Sequence, residues 1–157
     1  KGIRYINEEA GYNFGGAVDD IWEKPNGDLI VIDVKSTSKN VFDWEDTYSK
    51  WEYAKGYRRQ LEMYQWLLEK NGFNVASEGY LVYYNGKKHE PMFNQQLAFD
   101  LHLVKLECDN SWVEEAVLNA KATLDGDMPK PARSCDNCNY LRKRWEVSQK
   151  DPNKLVE

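Results

Sequence analysis

An α/β fold, a central mixed sheet with helices packed against it, is what this sequence predicts, and three patterns predict it. Two strand-like runs between Ala17 and Lys35 flank Pro25-Asn26-Gly27, a helical apolar repeat follows from about Lys50 to Lys70, and further strand and helix patterns alternate down to Leu124. With 157 residues the chain is long enough to bury a full core and reads as a single domain, 1–157.

The segment Lys1 to Gly15 has weak periodicity, and Gly11, Gly15 and Gly16 point to a loop or a short first strand. The hairpin that follows is better defined, because Pro25, Asn26 and Gly27 each supply turn geometry that an ordinary residue resists. A three-residue loop with Gly27 in the left-handed conformation sets Lys24 opposite Asp28 and Asp19 opposite Asp33. A two-residue Asn26-Gly27 loop sets Asp20 opposite Asp33 instead. Side chains two apart on a strand share a face, so Lys35 joins Asp33.

After Lys35 a turn-rich S-T-S-K-N leads into Val41 to Tyr53, a Trp- and Tyr-rich stretch that is an irregular loop or a helix start. Its Phe42, Trp44, Trp51 and Tyr53 read first as core cover and second as surfaces for stacking bases. Ala54, Tyr57, Leu61, Tyr64 and Leu68 then recur at three- and four-residue steps, an amphipathic helix that Asn71-Gly72 stops. Gln60 and Tyr64 lie one turn apart on it. Glu78 to Tyr84 reads as a strand, Asn85-Gly86 as a hairpin turn into Lys87 to Phe93, and Leu97 to Leu106 as a half-exposed strand. Asp109 to Leu124 reads as a second helix, opened by Ser111-x-x-Glu114 as a capping box and buried through Trp112, Ala116, Val117, Ala120 and Leu124. Beyond Pro129 and Pro131 the chain ends as a charged helix or tail.

The hairpin also carries the chemistry. Two carboxylates about 5 Å apart repel by roughly 3 kcal/mol at an effective dielectric of about 20, so opposed aspartates need a compensating charge. Leu29 to Ile32 is an apolar run of the kind buried on both faces, which places Asp33 where the sheet leaves its core rather than in open solvent. A divalent cation answers the repulsion: Mg²⁺ takes one or two carboxylates and leaves positions for water and a substrate phosphate. Lys35, two residues from a ligand, is placed to orient water and to stabilise charge on a phosphate. His89 and His102 have no partner at ligand or catalytic spacing and read as packing or surface residues.

At these residues the chain resembles the PD-(D/E)XK nucleases. Gly16-x-x-Asp19 followed by Asp33-x-Lys35 is similar to their signature, Gln60-x-x-x-Tyr64 to the added motif of the RecB-like branch, and Asp125 to Tyr140 to the C-terminal end of that branch and of the related CRISPR adaptation nucleases. The resemblance spans about residues 12 to 142. It implies a restriction-endonuclease-like sheet and a Mg²⁺-dependent deoxyribonuclease, with Mn²⁺ as substitute ion. The exonuclease activity of that branch serves DNA repair, recombination or phage and defence DNA processing. By the same resemblance Asp19, Asp33 and the carbonyl of Val34 hold the metal, Lys35 positions water, and Gln60 and Tyr64 support substrate or the groups behind the ligands. Since the chain opens at Lys1, helices that precede the hairpin in relatives are expected to be shortened or absent, with any ligand they carry. A non-catalytic DNA-binding or scaffold module is the rival from another class, and RNA the alternative substrate.

Relatives also hold an iron–sulfur cluster through a C-terminal C-x-x-C, a third Cys six residues on and a distant N-terminal Cys. Here Cys135 and Cys138 supply the pair, but Arg144 stands at the third position and no Cys precedes Gly16. No cluster is therefore expected; the pair is read as reduced thiols, with a zinc site the lesser alternative. Three cysteines make no disulfide framework, and the absence of a signal peptide or of an apolar run near roughly 18 residues points to the cytoplasm, with no membrane partner. The net charge of -5 does not favour a general nucleic-acid binder, but Lys130, Arg133, Arg142, Lys143 and Arg144 cluster near one end, and Arg58-Arg59 adjoin Gln60. DNA and protein partners of a repair or recombination complex are the expected company.

Overall fold

The computed structural model describes residues 2–88 and 96–150. It divides into two compact units, Lys1–Asn119 and Ala120–Glu157. In chain order the elements are β1 (Ile3–Asn7), β2 (Tyr12–Gly16), β3 (Asp20–Glu23), β4 (Leu29–Thr37), α1 (Trp44–Lys50), α2 (Glu52–Lys70), β5 (Val75–Gly86), β6 (Phe99–Glu107), α3 (Val113–Asp125) and α4 (Asp136–Lys150).

The larger unit is built on a four-stranded sheet of order β3-β4-β5-β6, antiparallel except where β4 and β5 run parallel. A parallel pair needs a crossover, and α1 with α2 provides it. The apolar run in β4 behaves as its composition demands: Ile30, Val31 and Ile32 are all buried, Val31 against α2 and the other two on the opposite face. Leu61 and Leu68 of α2 meet Val31, Leu81, Tyr83 and Val104 in the main core. The predicted helical face is thus the buried one, with Tyr57 and Tyr64 packed at its margin.

Asp43 caps α1, its carboxylate accepting from the Asp46 N–H at 2.9 Å. The aromatic stretch therefore resolves into a helix, with Trp51 extended between it and α2. Phe42 and Trp44 cover the core as expected, whereas Trp51 and Tyr53 are exposed.

Several local expectations are corrected. Ile3–Asn7 and Tyr12–Gly16 form an antiparallel hairpin around Gly11, which has φ +68°, and seat Tyr12 against Trp66 and Leu67 of α2. Asn85-Gly86 is not a turn: both residues stay in β5, opposite Asp100 and Phe99. The Asn85 side chain is used elsewhere, donating to Lys39 O at 3.0 Å and accepting from Lys39 N–H at 2.8 Å, a mimic of a strand partner. Of the strand expected from Lys87 to Phe93, Lys87 and Lys88 lie outside any strand and the rest falls outside the described residues, as does His89. The capping box also fails, because Glu114 is taken by Lys70 at 2.8 Å and Asp109, not Ser111, accepts the local N–H. The helix starts only at Val113, which is buried; Trp112 just before it and Val117 within it are packed, but Ala120 and Leu124 are exposed.

The smaller unit contains the end of α3 and α4. The Cys135 Sγ accepts the Cys138 N–H at 3.4 Å, a thiol standing where a helix cap would be.

Candidate active site

The hairpin turn sets the register of the site. Gly27 has φ +88°, the Lys24 N–H donates to Asp28 O at 2.9 Å and the Gly27 N–H to Lys24 O at 2.8 Å, so the loop is the three-residue form. Asp20 then pairs with Ile32 and Glu23 with Leu29. Continued one step, this register brings Asp19 to Asp33. Asp20 is occupied at the edge, accepting from the Ile21 N–H and the Trp22 indole N–H.

Asp33 is 1% exposed, at the end of the buried β4 run and on the face turned to α2. Lys35 follows on that face, and its Nζ lies 2.6 Å from Asp33 Oδ2. At that distance the ammonium is the charge partner of Oδ2, which is otherwise shut off from solvent. Burial pushes the Asp33 carboxyl above the usual carboxylate range; the Lys35 ammonium pulls it back, and the nearby Asp19 charge adds to the rise. Asp19 itself is exposed, and its Oδ2 accepts the Val34 N–H at 2.8 Å, which ties the residue before β3 to the strand beyond its last pair.

From Lys35 the contacts run into α2. Its Nζ donates to Gln60 Oε1 at 3.1 Å, and Gln60 Nε2 donates to the Tyr64 hydroxyl at 3.1 Å. Residues one helical turn apart thus form one line ending on the lysine. Tyr57, one turn earlier, places its ring 4.5 Å from the same Nζ, a cation–π contact. Gly16 explains its place before Asp19: a Cβ there would stand 2.5 Å from Tyr64 Cε1. Any side chain would displace the tyrosine that backs Gln60.

Asp19, Asp33, Lys35, Gln60 and Tyr64 therefore belong to one connected site, with Val34 contributing backbone. Sequence reasoning placed Tyr57 only as an apolar helix position, although its spacing of three from Gln60 and seven from Tyr64 puts it on their face. The buried Glu62 was missed as well; it accepts from Arg58 Nε at 2.9 Å and Trp112 Nε1 at 2.7 Å, a structural anchor. Arg58 is thereby engaged, and Arg59 pairs with Glu52 at 2.8 Å, so neither adjoining cation is idle beside Gln60.

Chemically, Asp19 and Asp33 offer hard oxygen donors, and Asp33, whose charge burial and Asp19 disfavour even with Lys35 beside it, is a carboxylate that a further cation would stabilise. Among the described residues no group of three His, Cys, Asp or Glu side chains gathers as a metal cage. Two carboxylates nevertheless fit Mg²⁺, which keeps waters and takes substrate phosphate at its other positions.

Cys108 follows β6, its thiol pushed up to about 11 by burial, and Cys135 is held low by the Cys138 N–H. With Arg144 at the third cysteine position, anaerobically purified protein is expected to show no visible charge-transfer absorbance. Stoichiometric iron and sulfide would overturn that expectation.

A family model described as the PD-(D/E)XK nuclease superfamily matches residues 1–142. A search of curated proteins finds no match. Among solved structures, the crystal structure of SSO0001 is similar at 20% identity and a TM-score of 0.45, over 82% of this chain and 50% of that one. The chain thus spans half the length of that protein.

Proposed function

The chain belongs to the PD-(D/E)XK nuclease superfamily, and from that premise we propose that it is a Mg²⁺-dependent DNA nuclease of the RecB-like type, an exonuclease acting in DNA repair, recombination or defence. The observation that carries the reading is the continuous contact from buried Asp33 through Lys35 and Gln60 to Tyr64. A lone D-x-K is common; a lysine fixed by a buried carboxylate, a glutamine and an aromatic ring supports the reading, because it is preorganised toward charge building on a phosphate.

Asp19, Asp33 and the Val34 carbonyl would hold the ion, which when bound lowers the pKa of a water and polarises the phosphoryl oxygens. Lys35 orients the attacking water and offers its positive charge to the phosphate as negative charge builds. Gln60 fixes the Lys35 ammonium, and Tyr64 fixes Gln60, so that little reorganisation is left for the moment of reaction. Tyr57 shields one side of the ammonium from water. No helix among the described residues is long and apolar enough to cross a membrane.

Gln60→Ala tests the line of contacts without touching a ligand. Losing a hydrogen bond to a charged group costs about 1.5 to 3 kcal/mol, which predicts a roughly ten- to hundredfold slower cleavage with an unchanged melting profile. Cleavage at the parent's rate would return Gln60 to the status of an ordinary helix residue.

A further inference from the structure

We propose that Lys39 seats a phosphate flanking the scissile one and so gives the DNA backbone a second anchor beside the reacting centre; this rests on the nuclease reading above. Lys39 follows β4, which ends at Thr37, and lines a cavity of about 230 Å³ together with Ser36, Thr37, Thr47 and Tyr57 among others. Tyr57 joins that cavity to the reacting centre, because its ring also carries the Lys35 ammonium. On the nuclease reading Lys35 serves the scissile phosphate. Four residues of chain separate the two lysines, so Lys39 is assigned to a neighbouring phosphate.

Lys39 is held at both ends, and by neutral groups only. Buried Asn85 brackets its backbone, accepting from the Lys39 N–H at 2.8 Å and donating to Lys39 O at 3.0 Å. At the other end Nζ donates to the hydroxyl of buried Thr47 at 2.6 Å, and that hydroxyl spends its own proton on Asp43 O at 2.6 Å. Lys24, Lys55 and Lys70 each rest on a carboxylate, whereas half-buried Lys39 meets none among the described residues. Fixing a long side chain costs entropy and withdrawing its charge from water costs solvation, and one neutral hydroxyl does not offset both. An anion would. The ammonium has three N–H donors, of which Thr47 takes one. The rest of the cavity favours a phosphate over a base: Phe42 is engaged with His102 and Tyr83, at 4.1 and 4.9 Å between ring centroids, and Tyr57 lies 4.5 Å from the Lys35 ammonium. Ser36 and Thr37 add hydroxyl side chains, which donate to phosphate oxygens, and apolar walls leave the Lys39 charge less screened than in open water.

The test uses an oligodeoxynucleotide and a set of copies in which one phosphate at a time, on either side of the scissile one, is replaced by a neutral methylphosphonate. Each is cleaved with Mg²⁺ by the parent, Lys39→Gln and Lys39→Arg. Gln keeps a polar group beside Thr47 and removes the charge. On the unmodified strand Lys39→Gln is expected to lose roughly 10- to 100-fold in kcat/KM, chiefly through KM, because a flanking phosphate is held alike in the ground and transition states. Its plot of log KM against log salt should be shallower than the parent's by about 0.7 to 0.9, the share of one phosphate contact. Lys39→Arg, which keeps the charge, should stay within about fivefold of the parent. At one flanking position the neutral copy should slow the parent by a similar factor and bring parent and Lys39→Gln level, since the ammonium then has no charge to meet. A Lys39→Gln penalty undiminished on every copy makes the lysine a brace for Thr47, and that result overturns the inference while leaving the nuclease reading standing. A Lys39→Gln protein that cuts at the parent's rate overturns it too. Should Lys39→Gln fail to fold, the parent's scan decides, and indifference at every flanking position overturns the inference. A parent that cleaves no DNA with Mg²⁺ or Mn²⁺ takes down both readings together.

Discussion

Asp33→Asn is expected to abolish metal-dependent DNA cleavage while leaving the metal-free protein as stable as the parent, or more so. The second half runs against the usual fate of a broken buried ion pair, which costs roughly 3 to 5 kcal/mol. Its basis is the direction of the Asp33 shift: with Lys35 already counted, burial and Asp19 still hold the carboxyl above its ordinary range. The folded state therefore disfavours the charge more than the unfolded chain does, and removing it relieves the fold. Sequence alone points to repulsion between Asp19 and Asp33 as the cost; in the structure burial is the larger cause and Asp19 the smaller.

The pH dependence follows with a definite sign. Between the ordinary carboxylate range and the raised Asp33 value the native state holds the extra proton, so metal-free parent stability falls as pH rises through that window, and the Asn variant lacks this fall. Metal reverses the ranking. At a hundredfold excess over Kd a bound ion adds about 2.7 kcal/mol, or roughly 5 to 10 °C of melting temperature for a chain of this size, and only the parent gains it. Paired melts with and without Mg²⁺ or Mn²⁺ decide the matter. An Asp33→Asn protein that still cuts, or a parent whose melting ignores both ions at millimolar levels, would sink the assignment.

The parts of this site that were legible in sequence are those governed by short-range geometry. The period of two puts Asp33 and Lys35 on one face, the period of 3.6 stacks Gln60 on Tyr64, and Gly27 offers the left-handed turn that sets the hairpin register, though Asn26-Gly27 alone left two registers open. What was not legible depends on contacts distant in sequence. Asn85-Gly86 has the composition of a turn, but Lys39 captures the Asn85 amide from 46 residues away and the strand continues. Ser111-x-x-Glu114 has the composition of a capping box, but Lys70 competes for Glu114. Tyr83 reads in sequence simply as a strand aromatic; only the fold shows that its hydroxyl is buried without a partner on the strand beside Lys35.

Lys35→Ala separates the group proposed to act on water from the groups that would hold the ion, and its signature differs from that of Asp33→Asn in the melts with and without metal. Turnover is expected to fall by roughly 10² to 10³, the loss seen when one preorganised stabiliser of transition-state charge is removed. Stability without metal should fall as well, because Asp33 stays buried at 1% exposure while its ion-pair partner, itself only 18% exposed, is gone. Gln60 Oε1 also loses its donor, though water can reach it more easily than Asp33. Added Mg²⁺ then has more to offer than in the parent, since the ion supplies positive charge to a carboxylate that has no other, and the metal-induced rise in melting temperature should exceed the parent's. An enlarged rise together with lost cleavage is the pattern that identifies a water-positioning lysine. A Lys35→Ala protein that cleaves within about threefold of the parent would show that Lys35 serves only as the counter-charge to Asp33, and a variant whose melting no longer responds to metal would make the lysine part of the ion's binding site instead.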